Sequence, residues 1–260
     1  MNAEGISQQS ASKVLSVVDD CDLVTACLGD GGILNSTHRR AEYIKKHLDY
    51  VPPQAVYIGT DSKNKSKYCY YVPIKDSLTA MLRDDSVLRQ CLDDPKTDDS
   101  KLSDFTDGLV YKQAVTRCSS EPQTKHISII LYQDAFEVAN PLGSAKKKHK
   151  ILAFYYILGN LESHNRSAVD NTQLVLLARE TDVNCAGQRV FRRVVDDLKN
   201  LETTGFNVGS HHFTVVIPAI AGDNLGSHWL GGFVTNFSTT SHICRFCTIT
   251  RSDFINGKRC

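Results

Sequence analysis

The chain has 260 residues, 41% of them hydrophobic and 23% charged, which is enough apolar material for a sizeable core. A formal net charge of +1 gives no global drive towards nucleic acid, although 15 Lys and Arg against 12 Asp and Glu from Glu121 onward leave that half mildly basic. No apolar run approaches the roughly 20 residues that span a bilayer, and the polar start Met1-Asn-Ala-Glu-Gly-Ile-Ser does not have the form of a secretory leader. The nine cysteines, an odd number, therefore read as reduced thiols of a soluble intracellular protein, some of them suited to metal.

Residues 1–120 read as a mostly helical region. Apolar residues recur at helical spacing from Ser12 to Asp30, where Gly29-Asp-Gly-Gly32 stops them. A short helix is predicted from His38 to Leu48, ended by Val51-Pro52-Pro53, and the polar stretch Gly59–Lys67 reads as a loop. Ile74 to Leu92 is predicted as one helix with Leu78, Leu82, Val87 and Leu88 on one side. Residues 93–104, acidic and poor in apolar side chains, read as a mobile linker.

From His126 the pattern changes. Strands are predicted at His126–Asp134, Lys150–Leu158 and Gln173–Ala178, with a turn at Asn140-Pro-Leu-Gly143 and a polar break at Glu162–Arg166. A helix follows from about Gly187 to Glu202, carrying Val190, Phe191, Val194, Val195, Leu198 and Leu201, and Gly205 stops it. A fourth strand, Phe213–Ala221, leads to Asp223, and Leu225–Phe233 can open another helix. Three strands, a crossover helix and a parallel return strand predict an α/β core with a mixed sheet over residues 121–240, of ribonuclease-H-like arrangement.

That order gives two aspartates their meaning. Asp134 and Asp223 each stand where a buried apolar run ends, and a return strand beside the first would make them neighbours at one sheet edge. Paired strand-end carboxylates suit a hard ion such as Mg²⁺ (or Mn²⁺) and, through it, phosphoryl transfer. The plainer alternative is that both are strand-end or helix-capping residues, positions that Asp favours. Lys146, Lys147, Lys148 and Lys150 form a basic turn near the first aspartate, suited either to a DNA backbone or to solvent. Cys244-Arg-Phe-Cys247 is half of a tetrahedral Zn²⁺ site, with His228, His242 and Cys260 as candidates to complete it, or a pair of buried thiols. The stop at Cys260, without a terminal element, predicts that residues 241–260 are a partial zinc knuckle of a longer parent protein.

Several long motifs carry a resemblance. Tyr132-Gln-Asp-Ala-Phe-Glu-Val-Ala-Asn-Pro-Leu-Gly-Ser144, Phe154-Tyr-Tyr-Ile-Leu-Gly-Asn160, Ala221-Gly-Asp-Asn-Leu-Gly-Ser-His228 and Cys244-Arg-Phe-Cys247 resemble blocks of transposon-derived proteins found in many copies in animal genomes. Upstream Tyr71-Val-Pro-Ile74 and Asp104-Phe-Thr-Asp-Gly108 fit the same pattern, so the resemblance covers roughly residues 40 to 260. Such proteins are similar to cut-and-paste DDE/D transposases, near the CACTA-type group. The resemblance implies a ribonuclease-H-like fold, Mg²⁺-dependent cleavage and joining of DNA at transposon ends, an inserted zinc-binding segment and a nuclear location, and it leaves room for a homo-oligomer. Asp134 and Asp223 match the first and second acids. The third acid is expected on a later helix, and no such element follows Cys247, so the chain as given is expected to be inactive. The alternative function is a transposon-derived module that has lost catalysis and binds nucleic acid or protein. A third is a nuclease of the same fold unrelated to transposition.

Overall fold

The structure, a computed structural model, describes residues 27, 29–93, 101–118, 124–137 and 150–259. The chain divides into two compact units, Met1–Pro52 and Pro53–Cys260. In the first, one helix is described, α1 (Thr37–His47). Ser36 caps it by accepting the Arg39 N–H, and Lys45, Lys46 and His47 fill its last turn, where the helix dipole favours positive charge. It matches the helix expected at His38–Leu48 to within a residue. The helix expected from Ser12 lies almost wholly outside the described residues.

The second unit is α/β. Its main elements run β1 (Gln54–Thr60), β2 (Ser66–Tyr71), α2 (Ile74–Met81), α3 (Asp85–Leu92), α4 (Leu109–Cys118), β3 (Lys125–Glu137), β4 (Lys150–Leu158), β5 (Gln173–Arg179), α5 (Glu180–Ala186), α6 (Arg192–Thr203), β6 (Phe206–Val208), β7 (His211–Gly222), α7 (Asn224–Leu230) and α8 (Arg251–Ile255). The described strands form one mixed sheet in the order β1-β2-β5-β4-β3-β7-β6. Every neighbouring pair is antiparallel except β3 with β7, which is parallel. Parallel strands need a crossover, and α5 and α6 provide it. Among the described residues no helix is long and apolar enough to cross a membrane.

Strand alternation decides which face is packed. In β3, Ile127, Ile129 and Leu131 are buried in the core, while Tyr132 and Phe136 stand exposed on the opposite face. The core side is closed by α6, whose buried Val194, Leu198 and Leu201 recur at four- and three-residue spacing. Val195, expected in that stripe, is 41% exposed and lies off it. Gly205 ends the helix at φ +67, and a Cβ there would meet the Phe213 carbonyl oxygen at 2.2 Å, so only glycine lets the chain fold back into β6. On the other face α4 covers one end, where the Tyr111 and Ser128 hydroxyls lie 3.0 Å apart.

Three expectations about residues 1–120 are corrected. The region is not a separate helical domain, because β1 and β2 form a hairpin that adds two strands to the core sheet. The supposed Gly59–Lys67 loop contains the end of one strand and the start of the next. The signal was period two: Val56, Ile58, Cys69 and Tyr71 turn inward, while Tyr57, Tyr68 and Tyr70 turn outward. Ile74–Leu92 is two helices, because the Asp84 side chain accepts the Ser86 and Val87 N–H groups and caps a new start. The acidic linker is anchored at its far end, where Arg166 grips Asp104 with bonds of 3.0 and 2.7 Å and holds its carboxyl below the usual range. Residues 94–100 of that linker, and the turn expected at Asn140–Gly143, lie outside the described residues.

Tyr71 ties the hairpin to the rest of the core. Its buried hydroxyl donates to Asp197 of α6 and accepts the Ile74 N–H at 3.2 Å. Tyr71→Phe leaves both partners short of a hydrogen bond and is expected to cost about 1–3 kcal/mol of stability. Tyr70→Phe, one residue away on the open face, should stay within about 0.5 kcal/mol. Equal losses for the two variants in urea unfolding would contradict the facing of β2.

Candidate functional site

The parallel ladder between β3 and β7 builds the site. Ser128 pairs with Val216, but Ile130 pairs with Ala219, so Ile217 and Pro218 together oppose Ile129. Proline has no N–H to give a ladder, and a bulge is where a strand can hold it. Beyond the bulge the register runs to Gln133 opposite Gly222. The next residue in each case is an aspartate. Asp134 lies inside β3, paired with Ala153 of β4 and followed by strand to Glu137, and Asp223 stands just past the end of β7.

Their environments differ. Asp134 is half-buried, and its Oδ1 accepts the Ala135 N–H at 2.7 Å. It shares a face with Tyr155, whose hydroxyl is raised above its ordinary pKa by burial and then by the Asp134 charge. Asp223 is exposed and caps α7, accepting the Gly226 N–H at 2.5 Å. Capping and the rim position thus coincide in one side chain. Both aspartates line a cavity of about 450 Å³, with Gln133, Lys150, Glu180 and Trp229 also on its wall. The Trp229 ring packs 5.5 Å from Phe191, which in turn lies 5.1 Å from Phe154 of β4.

Glu180 went unseen in the sequence, although the rule that selected the aspartates applies to it. It is the first residue after Gln173-Leu-Val-Leu-Leu-Ala-Arg179, another apolar run, and it opens α5 at the same rim. Lys150 stands 3.8 Å from it. Lys150 is thus placed on the cavity wall with an acidic partner, and Lys146, Lys147 and Lys148 lie outside the described residues.

Gln133 is 4% exposed, and its Oε1 is buried without a hydrogen-bond partner. A Cβ on Gly226 would stand 2.4 Å from that oxygen and 2.9 Å from Asp223 Oδ1. Asp134 alternates to the face of Tyr132 and Phe136, opposite Gln133, so the oxygens that stand together beside Gly226 are those of Asp223 and the Gln133 carboxamide. Among the described residues, no three His, Cys, Asp or Glu side chains stand close enough together to hold a metal ion as they are.

The candidate zinc residues are scattered in role. Cys244 and Cys247 are half-buried and in no disulfide, and the Phe246 N–H points at Cys244 Sγ across 3.4 Å. His242 bridges to Thr250 across this turn, and its Nδ1 lies 3.0 Å from the Ser241 hydroxyl. His228 is buried, with Nδ1 3.1 Å from the Val234 carbonyl oxygen and its ring edge-on to Phe233 and Phe237, the surroundings of a packed core histidine. Cys260 lies outside the described residues. The turn is tied to the main site instead, because Arg245 donates to Asn224 Oδ1 at 2.6 Å, directly beside Asp223. Compared with known proteins, the chain matches no family model and no curated protein.

Gly226→Ala tests the local geometry. The added methyl gains about 1 kcal/mol of helix propensity, but it collides with Gln133 and with the Asp223 cap, which costs more. A net loss of about 1–3 kcal/mol in chemical unfolding is expected. A stabilised variant would show that Gln133 does not sit against α7.

Proposed function

We propose that this chain is the phosphoryl-transfer core of a DDE-type DNA transposase with a ribonuclease-H-like sheet. The observation that carries the reading is that Asp134 and Asp223 each follow the last pair of the parallel ladder, Gln133 with Gly222, and line one cavity. The sheet order around them, an antiparallel β3-β4-β5 meander followed by crossover helices and a parallel return, supports it. The transposon-derived motifs named above point the same way.

The chemistry is an in-line displacement. An oxygen of water, or of a DNA 3′-hydroxyl when strands are joined, forms a bond to the phosphorus of a DNA phosphodiester. The bond from phosphorus to the 3′-oxygen breaks, and that oxygen leaves and takes up a proton. A divalent Mg²⁺ or Mn²⁺ ion supplies, when bound, charge neutralisation at the phosphoryl oxygens. Asp134 and Asp223 would hold the ion. Their strands fix the carboxylates before substrate arrives, which removes the cost of organising them during the reaction.

The expectation of inactivity rested on a third acid lying downstream of Cys247. We set against it Glu180, an acid that lines the same cavity wall. Supplied with DNA and Mg²⁺ or Mn²⁺, the protein is expected to nick it, and Asp134→Asn or Asp223→Asn should each lower the rate at least about 100-fold. Salt-sensitive DNA binding with no cleavage in either metal would favour the second reading, a transposon-derived module without catalysis. Cleavage indifferent to both substitutions would overturn the site.

A further inference from the structure

We propose that the outward face of the sheet is a stacking platform for an unpaired DNA strand, with Tyr57, Tyr68, Tyr70, Tyr132 and Phe136 as the side chains that meet its bases. The identity of the strand rests on the reading above. The rings themselves are not part of the wall that the aspartates line.

The ladder fixes which side chains share this face. Tyr70 pairs with Leu177, Leu177 with Ala153 and Ala153 with Asp134, so β2, β5, β4 and β3 contribute one row across the sheet. Residues opposite one another in an antiparallel pair point to the same side, and so do residues two apart on one strand. Tyr68, Arg179, Tyr132 and Phe136 therefore share the face of Tyr70 and Asp134, and Tyr57 joins them as the partner of Tyr68. This is the side away from the core, and the five rings are 40–57% exposed. From β1 to β3 the platform crosses four strand spacings, roughly 19 Å.

Two properties select the occupant. The first is the rings. Tyr57 and Tyr68 lie 5.8 Å apart, and rings set close together on a sheet offer successive bases a surface, whatever the sequence, because every base has a π-face. A duplex keeps its bases stacked on one another, so the strand that uses such a surface is unpaired. The second is charge. Arg179 is exposed on this face, two residues beyond Leu177. Lys63 and Lys65 are exposed at the tip of the β1-β2 hairpin, where the Asp61 carboxylate is already engaged. It accepts both their backbone N–H groups, at 2.8 and 3.0 Å, and pairs with Lys67 at 3.2 Å. The centre of a protein interface is poor in charge, whereas a phosphate backbone calls for cations beside the rings. Asp134 closes the Tyr70 row at its far end, so a strand laid across the platform leads to the rim where the proposed chemistry occurs.

Fluorescence anisotropy with a labelled oligo-dT of about 15 nucleotides tests this, in EDTA so that nothing is cut. The protein should bind oligo-dT more tightly than a duplex of the same length, and less tightly as salt rises. Tyr68→Ala and Tyr70→Ala should each weaken binding at least about fivefold, while Tyr70→Phe stays within about twofold. Tyr70→Leu keeps apolar area without a ring and should behave like Tyr70→Ala. Lys63→Gln should lower the salt slope by about 0.7. Parent-like binding by both alanine variants, or by Tyr70→Leu, overturns the platform, and should the alanine variants not fold, Tyr70→Leu against Tyr70→Phe decides alone. Tighter binding of oligo-rU, or of the duplex, overturns the assignment to unpaired DNA. Failure to nick DNA with Mg²⁺ or Mn²⁺, with oligo-dT binding still dependent on the tyrosines, overturns the catalytic reading and leaves the platform standing.

Discussion

The register of β7 against β3 is the constraint on which everything at the site depends. With no bulge, continuing the Ser128–Val216 pairing would bring Asp134 opposite Gly222. One extra residue at Ile217-Pro218 advances β7 by a single step, so that Gly222 stands opposite Gln133 and Asp223 follows it. Because side chains alternate along a strand, a one-residue slip also exchanges the faces on which β7 presents them. Proline, which cannot complete an ordinary ladder, makes the bulge the comfortable arrangement at that point. A residue with no polar side chain therefore sets which part of β7 reaches the cavity wall.

The sheet that carries this register is larger than its central strands. The β1-β2 hairpin extends one side, and Tyr71 locks it to α6 through Asp197 while Ile58, Cys69 and Tyr71 join the common core. Its outward tyrosines, Tyr57, Tyr68 and Tyr70, stand in the open with Tyr57 and Tyr68 in edge-to-face contact at 5.8 Å. At the other side the three-residue β6 closes the sheet next to β7. β6 pairs only with His211–Phe213, the start of β7.

What was legible in the sequence follows from which signals were strong. The runs ending at Asp134 and Asp223 are long, apolar and β-branched, and the helix from Arg192 has a clear stripe, so strand, crossover and return could all be placed. The hairpin was hidden because its inward positions include Cys69 and Tyr71 and its outward ones are tyrosines, so the alternation is between aromatic residues and not between apolar and charged ones. The Asp84 cap was hidden within a stretch whose apolar spacing continued smoothly across the break. Glu180 was passed over for a different reason: Arg179 separates it from the apolar run and makes the pair look like a solvated turn. The contact of Arg245 with Asn224 spans 21 residues, and no local pattern announces it.

Trp229 is the chain's one tryptophan, and it stands on the wall of the cavity that holds both aspartates. Its emission therefore comes from a single place. Its ring packs on Phe191, and it lines the same cavity as Asp134 and Asp223. Seven of the ten tyrosines lie on strands of the sheet, and tyrosine absorbs at shorter wavelength than the indole. Whatever enters the cavity changes the polarity beside the indole, so the protein carries its own optical reporter at the site, with no label to attach and no second signal to subtract.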